Sequence, residues 1–299
     1  MRKEEHQKHE RRTIRDEVRT SASPQHAWEA WADPAKISQW FVDRAEGKPE
    51  AGADLTWFFD KFNMELHYKV LEAVPGKRFA ILWPGPTPAS GILEVIIERE
   101  GGETLIRLVN SGFREDAQLN EEYEGVVSGW RTSLGLLREY LENYFGEPRT
   151  SILVMQPAQF EYAQVARYFR EPGLLAKWLT KAGSIGDDGE ACKLVLQSGE
   201  SVTGRVLART HHEVTLSWPE TRAVLEMKSF SMGPQRVLGI RVSGWKMDRD
   251  RAQEIEKQMT EAVARLAAAL KSESAQTAGG KPADAPAPFW NTTTRDEKI

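Results

Sequence analysis

Six histidines, one cysteine and a serine flanked by glycine are the residues of this 299-residue chain whose types could do metal or covalent chemistry. His6 and His9 have helical i, i+3 spacing, and His211 and His212 are adjacent in a turn, where neighbouring side chains point apart. Neither pair brings the third ligand that a closed metal site needs. Ser128 lies in "VVSGW", which lacks the nucleophile-elbow pattern and a marked base partner. Cys192, alone, can form no internal disulfide or multi-thiolate site, so it reads as structural and fits a reducing cytoplasm. His67, in "MELHYKV", shares its strand face with Glu65 and Lys69, which is the solvent face. The opposite parity would turn it inward as an acid or base. No nucleotide fingerprint is present, and neither a cofactor nor a metal is expected.

The positive signal is aromatic. Trp28, Trp31, Trp40, Trp57, Trp83 and Trp130 fall in the first half, and Trp178, Trp218 and Trp245 in the second. Trp57, Phe59, Phe79, Ile81 and Trp83 take alternating strand positions, as do Leu93 and Val95 farther on, so they share one sheet face. Trp130 and Leu134 begin the apolar stripe of a long helix that this face must meet. A space left there would be an apolar pocket on the order of 300–1,000 Å³, with Asn110 and Tyr123 as polar groups orienting an apolar small molecule. A filled core with no space is the competing reading.

The elements that would position these residues occur twice. "DPAKISQWF" at Asp33 returns as "EPGLLAKWL" at Glu171, 138 positions on. "VLEAVPGKRFAILWP" at Val70 is matched by "VLARTHHEVTLSWP" at Val206, and "RLVNSGF" at Arg107 by "GIRVSGW" at Gly239. The offset shrinks from 138 at Trp40 and Trp178 to 135 at Trp83 and Trp218, then 132 at Gly112 and Gly244, as trimmed turns require. Order kept under a drifting offset is the mark of a duplicated unit.

Each unit reads as a strand, two short helices, a run of strands and a closing amphipathic helix. Asp33 and Glu171 suit the cap of the second short helix, Asp the better, and Pro34 and Pro172 its first turn. The closing stripes are Trp130, Leu134, Leu137, Leu141 and Tyr144, then Ile255, Met259, Val263, Leu266 and Leu270. The expected class is α+β, each antiparallel sheet burying one face under its helix. The expected division is a flexible N-terminus over 1–11, units over 12–147 and 150–270, and a disordered tail over 271–299 that contains "PFW". The linker "GEPRT" is short enough that the units should pack together.

The net charge of -4 argues against a nucleic-acid partner, and the arginines near the N-terminus are interleaved with acids as on a solvated edge strand. No apolar run approaches the ~18 residues of a membrane span. The charged N-terminus lacks the apolar middle of an export signal. A cytoplasmic protein is expected.

"SPQHAWEAWADPAKISQWF", then a meander, "LVNSGF" and "GVVSGWRTSLGLLREYLE", resembles the activator of heat-shock-protein-90 ATPase-like family of START-like (SRPBCC) domains, over Arg12 to about Phe145. From Ser151 to Leu270 the likeness is degenerate and rests on the repeat. The resemblance implies a tandem helix-grip fold, each curved sheet wrapped around its long helix with a cavity between. It also implies functions ranging from binding apolar molecules to cyclase-like catalysis and co-chaperone action. Many relatives carry a histidine where this chain has Asn110 and Val242. Between "NSGF" and the long helix the first unit has "REDAQLNEEYEGVVSG", which the second lacks, so a lid or an added helical turn is expected there. The leading expectation is an apolar-ligand binder whose second unit is mainly structural. A chaperone-stimulating module and a cyclase- or hydrolase-like enzyme are the alternatives.

Overall fold

In the computed structural model, which describes residues 11–83, 91–114, 120–232 and 235–277, the same succession of elements is built twice. The first comprises β1 (Arg11–Thr20), α1 (Pro24–Ala32), α2 (Pro34–Ile37), β2 (Arg44–Gly47), β3 (Asp54–Phe59), β4 (Met64–Val74), β5 (Arg78–Trp83), β6 (Gly91–Glu100), β7 (Glu103–Arg114) and α3 (Asn120–Asn143). The second comprises β8 (Arg149–Pro157), α4 (Tyr162–Tyr168), α5 (Pro172–Leu175), β9 (Thr180–Ser184), β10 (Ala191–Leu196), β11 (Ser201–Arg209), β12 (Glu213–Trp218), β13 (Ala223–Met232), β14 (Gln235–Trp245) and α6 (Arg249–Thr277). Each forms a seven-stranded sheet, in the orders β1-β7-β6-β5-β4-β3-β2 and β8-β14-β13-β12-β11-β10-β9. Every neighbouring pair described is antiparallel. The fold is thus a tandem α+β helix-grip arrangement, as the repeat and the resemblance imply. Helix α6 runs past Leu270 to Thr277, and the "PFW" of the tail lies outside the described residues.

Local chemistry explains the helix starts. Ser23 Oγ accepts the amide of His26 at 3.1 Å to open α1, and Asp33 Oδ1 accepts that of Ala35 at 2.8 Å to open α2. Glu171 makes no such cap and instead pairs with Arg167 at 2.9 Å, as expected of the poorer capping residue. The repeated tryptophan ties each short helix to the one before it. Trp40 Nε1 donates to the Ala30 carbonyl at 2.8 Å, and Trp178 Nε1 to that of Tyr168 at 3.1 Å, ten residues back in both copies.

Strand parity puts Leu66, Tyr68 and Val70 of β4 inward and Glu65, His67 and Lys69 outward. The stripe of α6, Ile255, Met259, Val263, Leu266 and Leu270, is buried against the second sheet, and Trp130, Leu134, Leu137 and Leu141 of α3 against the first.

Helix α3 is also covered on its other side, by the outer face of the second sheet. Ser128, Thr132, Gly135 and Glu139, spaced by four, three and four, face that sheet. Ser128 Oγ meets Thr210 Oγ1 at 2.5 Å, and Thr132 Oγ1 donates to Glu213 Oε2 at 2.5 Å. Arg205 approaches Glu139 at 3.9 Å. A Cβ on Gly135 would stand 2.9 Å from the carbonyl oxygen of Leu207, so only glycine permits this approach. The seam buries charge as well. Lys228 Nζ lies 3.0 Å from Glu213 and 2.8 Å from Glu226, and the half-buried Arg149 donates to the carbonyls of Trp40 and Val42. Trp245, though on β14, belongs to the first core: it stacks on Tyr144 at 4.2 Å and donates to the Gln39 carbonyl at 2.9 Å.

Two outcomes follow for stability. Replacing a mid-helix glycine by alanine ordinarily gains about 1 kcal/mol. Gly135→Ala should instead lose about 1–3 kcal/mol in urea unfolding, because α3 must lift off β11. Burial works to raise the Glu226 pKa, but Lys228, Arg241 and Arg149 outweigh it and hold the carboxyl below the usual range. Its stabilising contribution is therefore present above the ordinary value of 4.5 and is lost as pH falls through the folded pKa. Lys228→Met should cost about 3–5 kcal/mol at neutral pH. That loss should shrink as pH falls and the stranded Glu226 carboxyl takes up its proton, and urea melts at pH 7 and pH 5 read the difference.

Candidate functional site

The residues proposed from the sequence converge. Trp57, Phe79, Ile81, Leu93, Val95, Trp130 and Leu134 are buried in one cluster between the first sheet and α3, with the buried Asn110 bonded to Trp130, and Phe59, Trp83 and Tyr123 pack half-buried against it. β3 supplies Trp57 and Phe59, β5 supplies Phe79, Ile81 and Trp83, and β7 supplies Asn110. Trp57 lies 4.7 Å from Tyr68, ring to ring, Tyr68 lies 6.5 Å from Trp83, and Phe113 meets Tyr123 edge-on at 5.5 Å. The Arg12 guanidinium sits over the Tyr123 ring at 4.1 Å.

Asn110 is already engaged within the protein. Its Oδ1 accepts the Trp130 indole at 3.0 Å, and its Nδ2 donates to the Ile92 carbonyl at 3.3 Å, so it fixes Trp130. The Tyr123 hydroxyl reaches the Thr13 carbonyl at 3.5 Å. Residues 115–119 of the insertion lie outside the described residues, and from Asn120 onward it forms the first turns of α3.

Phe41 was not anticipated. It ends the "DPAKISQWF" motif, is half-buried, and stands among five rings. Trp130 is stacked on it at 5.6 Å and 21°, Trp57 and Phe59 meet it edge-on at 5.6 and 5.9 Å, and Trp40 and Trp31 lie at 5.1 and 6.2 Å. Its adjacency to the repeated tryptophan was the available signal. In the second unit the residues at the corresponding places, Leu179, Trp218 and Trp245, are 2%, 1% and 0% exposed. Phe41, Trp83 and Phe113 of the first are all half-buried.

Ionisable groups offer this region little. Burial pushes the Tyr68 phenol far above its ordinary value, so it stays protonated at neutral pH. His67 is exposed, with Nδ1 3.1 Å from Thr56 Oγ1. Ser128 is occupied at the seam, and burial raises the Cys192 thiol. Among the described residues no group of three His, Cys, Asp or Glu could hold a metal, and no helix is long and apolar enough to cross a membrane.

A cleft of about 460 Å³ opens on the second unit, where α6 begins, lined by Glu200, Trp218, Arg222, Trp245, Lys246 and Arg251 among others. Its tryptophans are buried beneath it, and its cations are held by carboxylates: Arg251 by Glu200 at 2.5 Å, Lys246 by Glu147 at 2.8 Å, and Arg222 by Glu147. It is a charged surface feature rather than an apolar seat.

Residues 21–142 match the family described as activator of Hsp90 ATPase homolog 1-like protein. No curated protein matches the chain. Solved structures similar to it include protein MLL2253 from Mesorhizobium loti, at 26% identity over 44% of this chain and 96% of that one, with a TM-score of 0.39. The Aha1 dimer from Colwellia psychrerythraea is similar at 18% identity over 44% and 97%, TM-score 0.40. The di-domain ARO/CYC BexL from the BE-7585A biosynthetic pathway spans 91% of this chain and 100% of its own, at 12% identity and TM-score 0.41.

Because Asn110 holds Trp130 in place, Asn110→Leu should strand a buried indole N–H and lower stability by about 1–3 kcal/mol in denaturant titration. A change below a few tenths would show that the bond contributes nothing to placing Trp130.

Proposed function

We propose, on the premise that the first unit is an activator of Hsp90 ATPase homolog 1-like domain with a second copy of its fold behind it, that this is a cytoplasmic, non-catalytic binder of an apolar small molecule. The seat is the aromatic end of the space between the first sheet and α3, within a unit spanning 12–147. The second unit, 150–270, is mainly structural and holds α3 from behind. One observation supports this reading above the others: the half-buried rings of Phe41, Phe59, Trp83, Phe113 and Tyr123 gather at one end of the first unit, whereas Leu179 and Trp218, at the places of Phe41 and Trp83 in the second, are buried in its own core. Apolar surface left accessible inside a concave fold is what a ligand of matching character would cover. A catalytic version would need an acid or base there, and Tyr68, protonated at neutral pH, is a poor base.

The family match favours a second reading, stimulation of an Hsp90-type chaperone ATPase. Raised ATP turnover on adding the protein would support it, and no change at saturating concentration would dispose of it. For the leading reading, thermal-shift and native-mass screening against apolar compounds should yield hits. Trp57→Leu and Trp83→Leu should weaken them by about tenfold or more, the worth of ~1.4 kcal/mol of lost contact. Hits that bind both variants unchanged would move the seat elsewhere.

A further inference from the structure

Most indoles of this fold have an acceptor. Trp28 donates to the Arg78 carbonyl, Trp40 to Ala30, Trp130 to Asn110, Trp178 to Tyr168, Trp218 to Ser201 and Trp245 to Gln39. Among the buried indoles of the described residues, Trp31 and Trp57 do not. Each is 1% exposed, and each Nε1–H is buried without a partner. A buried donor left unmet is uncommon in folded proteins, and when buried, tryptophan usually finds an acceptor. Both exceptions adjoin one ring, Phe41, at 6.2 and 5.6 Å. At the constant offset of 138, the second unit replaces Trp31 by Phe169 and Phe41 by Leu179, removing both a donor and the half-buried ring.

The surroundings of Phe41 describe a slot. Trp130 lies nearly parallel to it at 21°, and Trp57 and Phe59 stand almost perpendicular at 79° and 85°. A flat ring in the same place would stack on Trp130 and meet the other two edge-on, as aromatic quadrupoles favour. We propose, granted the binding reading above, that the ligand is a flat unsaturated ring system bearing a neutral oxygen acceptor, a carbonyl or an ether. It takes the position of the Phe41 ring, which turns outward, and its oxygen accepts the indole N–H of Trp57, with that of Trp31 as a second donor. A hydrocarbon would fill the slot and leave both donors unmet. A carboxylate would bury a charge among rings, which costs far more than one hydrogen bond returns.

Matched probes test this: fluorene and 9-fluorenone, which share a flat skeleton and differ in one carbonyl. On ¹⁵N-labelled full-length protein, fluorenone should bind about tenfold tighter than fluorene, the worth of one hydrogen bond. It should also move the Trp57 indole proton resonance downfield. In Trp57→Phe the preference should fall to about twofold or less with fluorene affinity retained, since the ring remains and only the donor goes. Should that variant fail to fold, Trp31→Phe reads the same ratio, expected to fall part of the way. Phe41→Ala should tighten both probes and keep their ratio. Equal binding of the two probes, or a preference that survives both tryptophan substitutions, overturns the acceptor while the binding reading stands. Failure of both probes and of every apolar compound to bind overturns the binding reading and this inference with it.

Discussion

The burial of α3 from two sides is the constraint on which the rest of the molecule depends. A long helix in a helix-grip unit needs one apolar face, and α3 supplies it with Trp130, Leu134, Leu137 and Leu141. Its opposite face carries Ser128, Thr132, Gly135 and Glu139 and is pressed against β11 and β12. Small residues let helix and sheet approach to within backbone contact, and the hydroxyls and carboxylates then pair across the seam. α6 has no such second face: Glu256, Lys257, Thr260, Glu261 and Ala264 stay exposed. The two copies therefore meet front to back, an arrangement that is asymmetric by construction.

That asymmetry accounts for the divergence of the sheets. The outer face of the second had to become an interior: it buries Glu213, Thr215, Glu226 and Ser243, with Lys228 half-buried between the two carboxylates. Buried charges of this kind contribute little net stability against apolar equivalents, yet removing one partner is severe, so they fix how the surfaces register. Trp245 and Val224 leave their own sheet's core altogether and pack in that of the first unit. The outer face of the first sheet stays open, with Leu71 and Ile92 43% and 37% exposed.

What the sequence made legible was whatever has a local period. The duplication, the strand faces bearing Trp57, Phe79 and Val95, the inward Asn110 and the solvent parity of His67 all follow from alternation or from the offset between copies. What it hid depends on a partner far along the chain. Ser128, Thr132 and Glu139 carry no local sign of a seam because the groups that bury them, Thr210, Glu213 and Arg205, come about sixty-five to eighty residues later. Asn110 read as a free polar group for the same reason, its acceptor being taken by an indole twenty residues on. The repeated tryptophan bonds to the preceding short helix, a partner that spacing alone cannot name.

A helix clamped on two faces also decides where the first unit can open. Moving α3 would break the Gly135 contact and the Thr132–Glu213 bond and would disturb the stack of Tyr144 on Trp245, so a ligand entering along that side must disrupt both units at once. On the α1–α2 side the second unit holds main chain: Arg149 donates to the Trp40 and Val42 carbonyls and Trp245 to that of Gln39, and none of these bonds reaches the Phe41 ring. Phe41 follows α2 directly, is half-buried, and contributes ring contacts worth only about 0.5–1.5 kcal/mol each beyond area. Opening there displaces one side chain and leaves the tandem frame intact. Tight docking of the second copy thus concentrates the freedom of the first at its aromatic end.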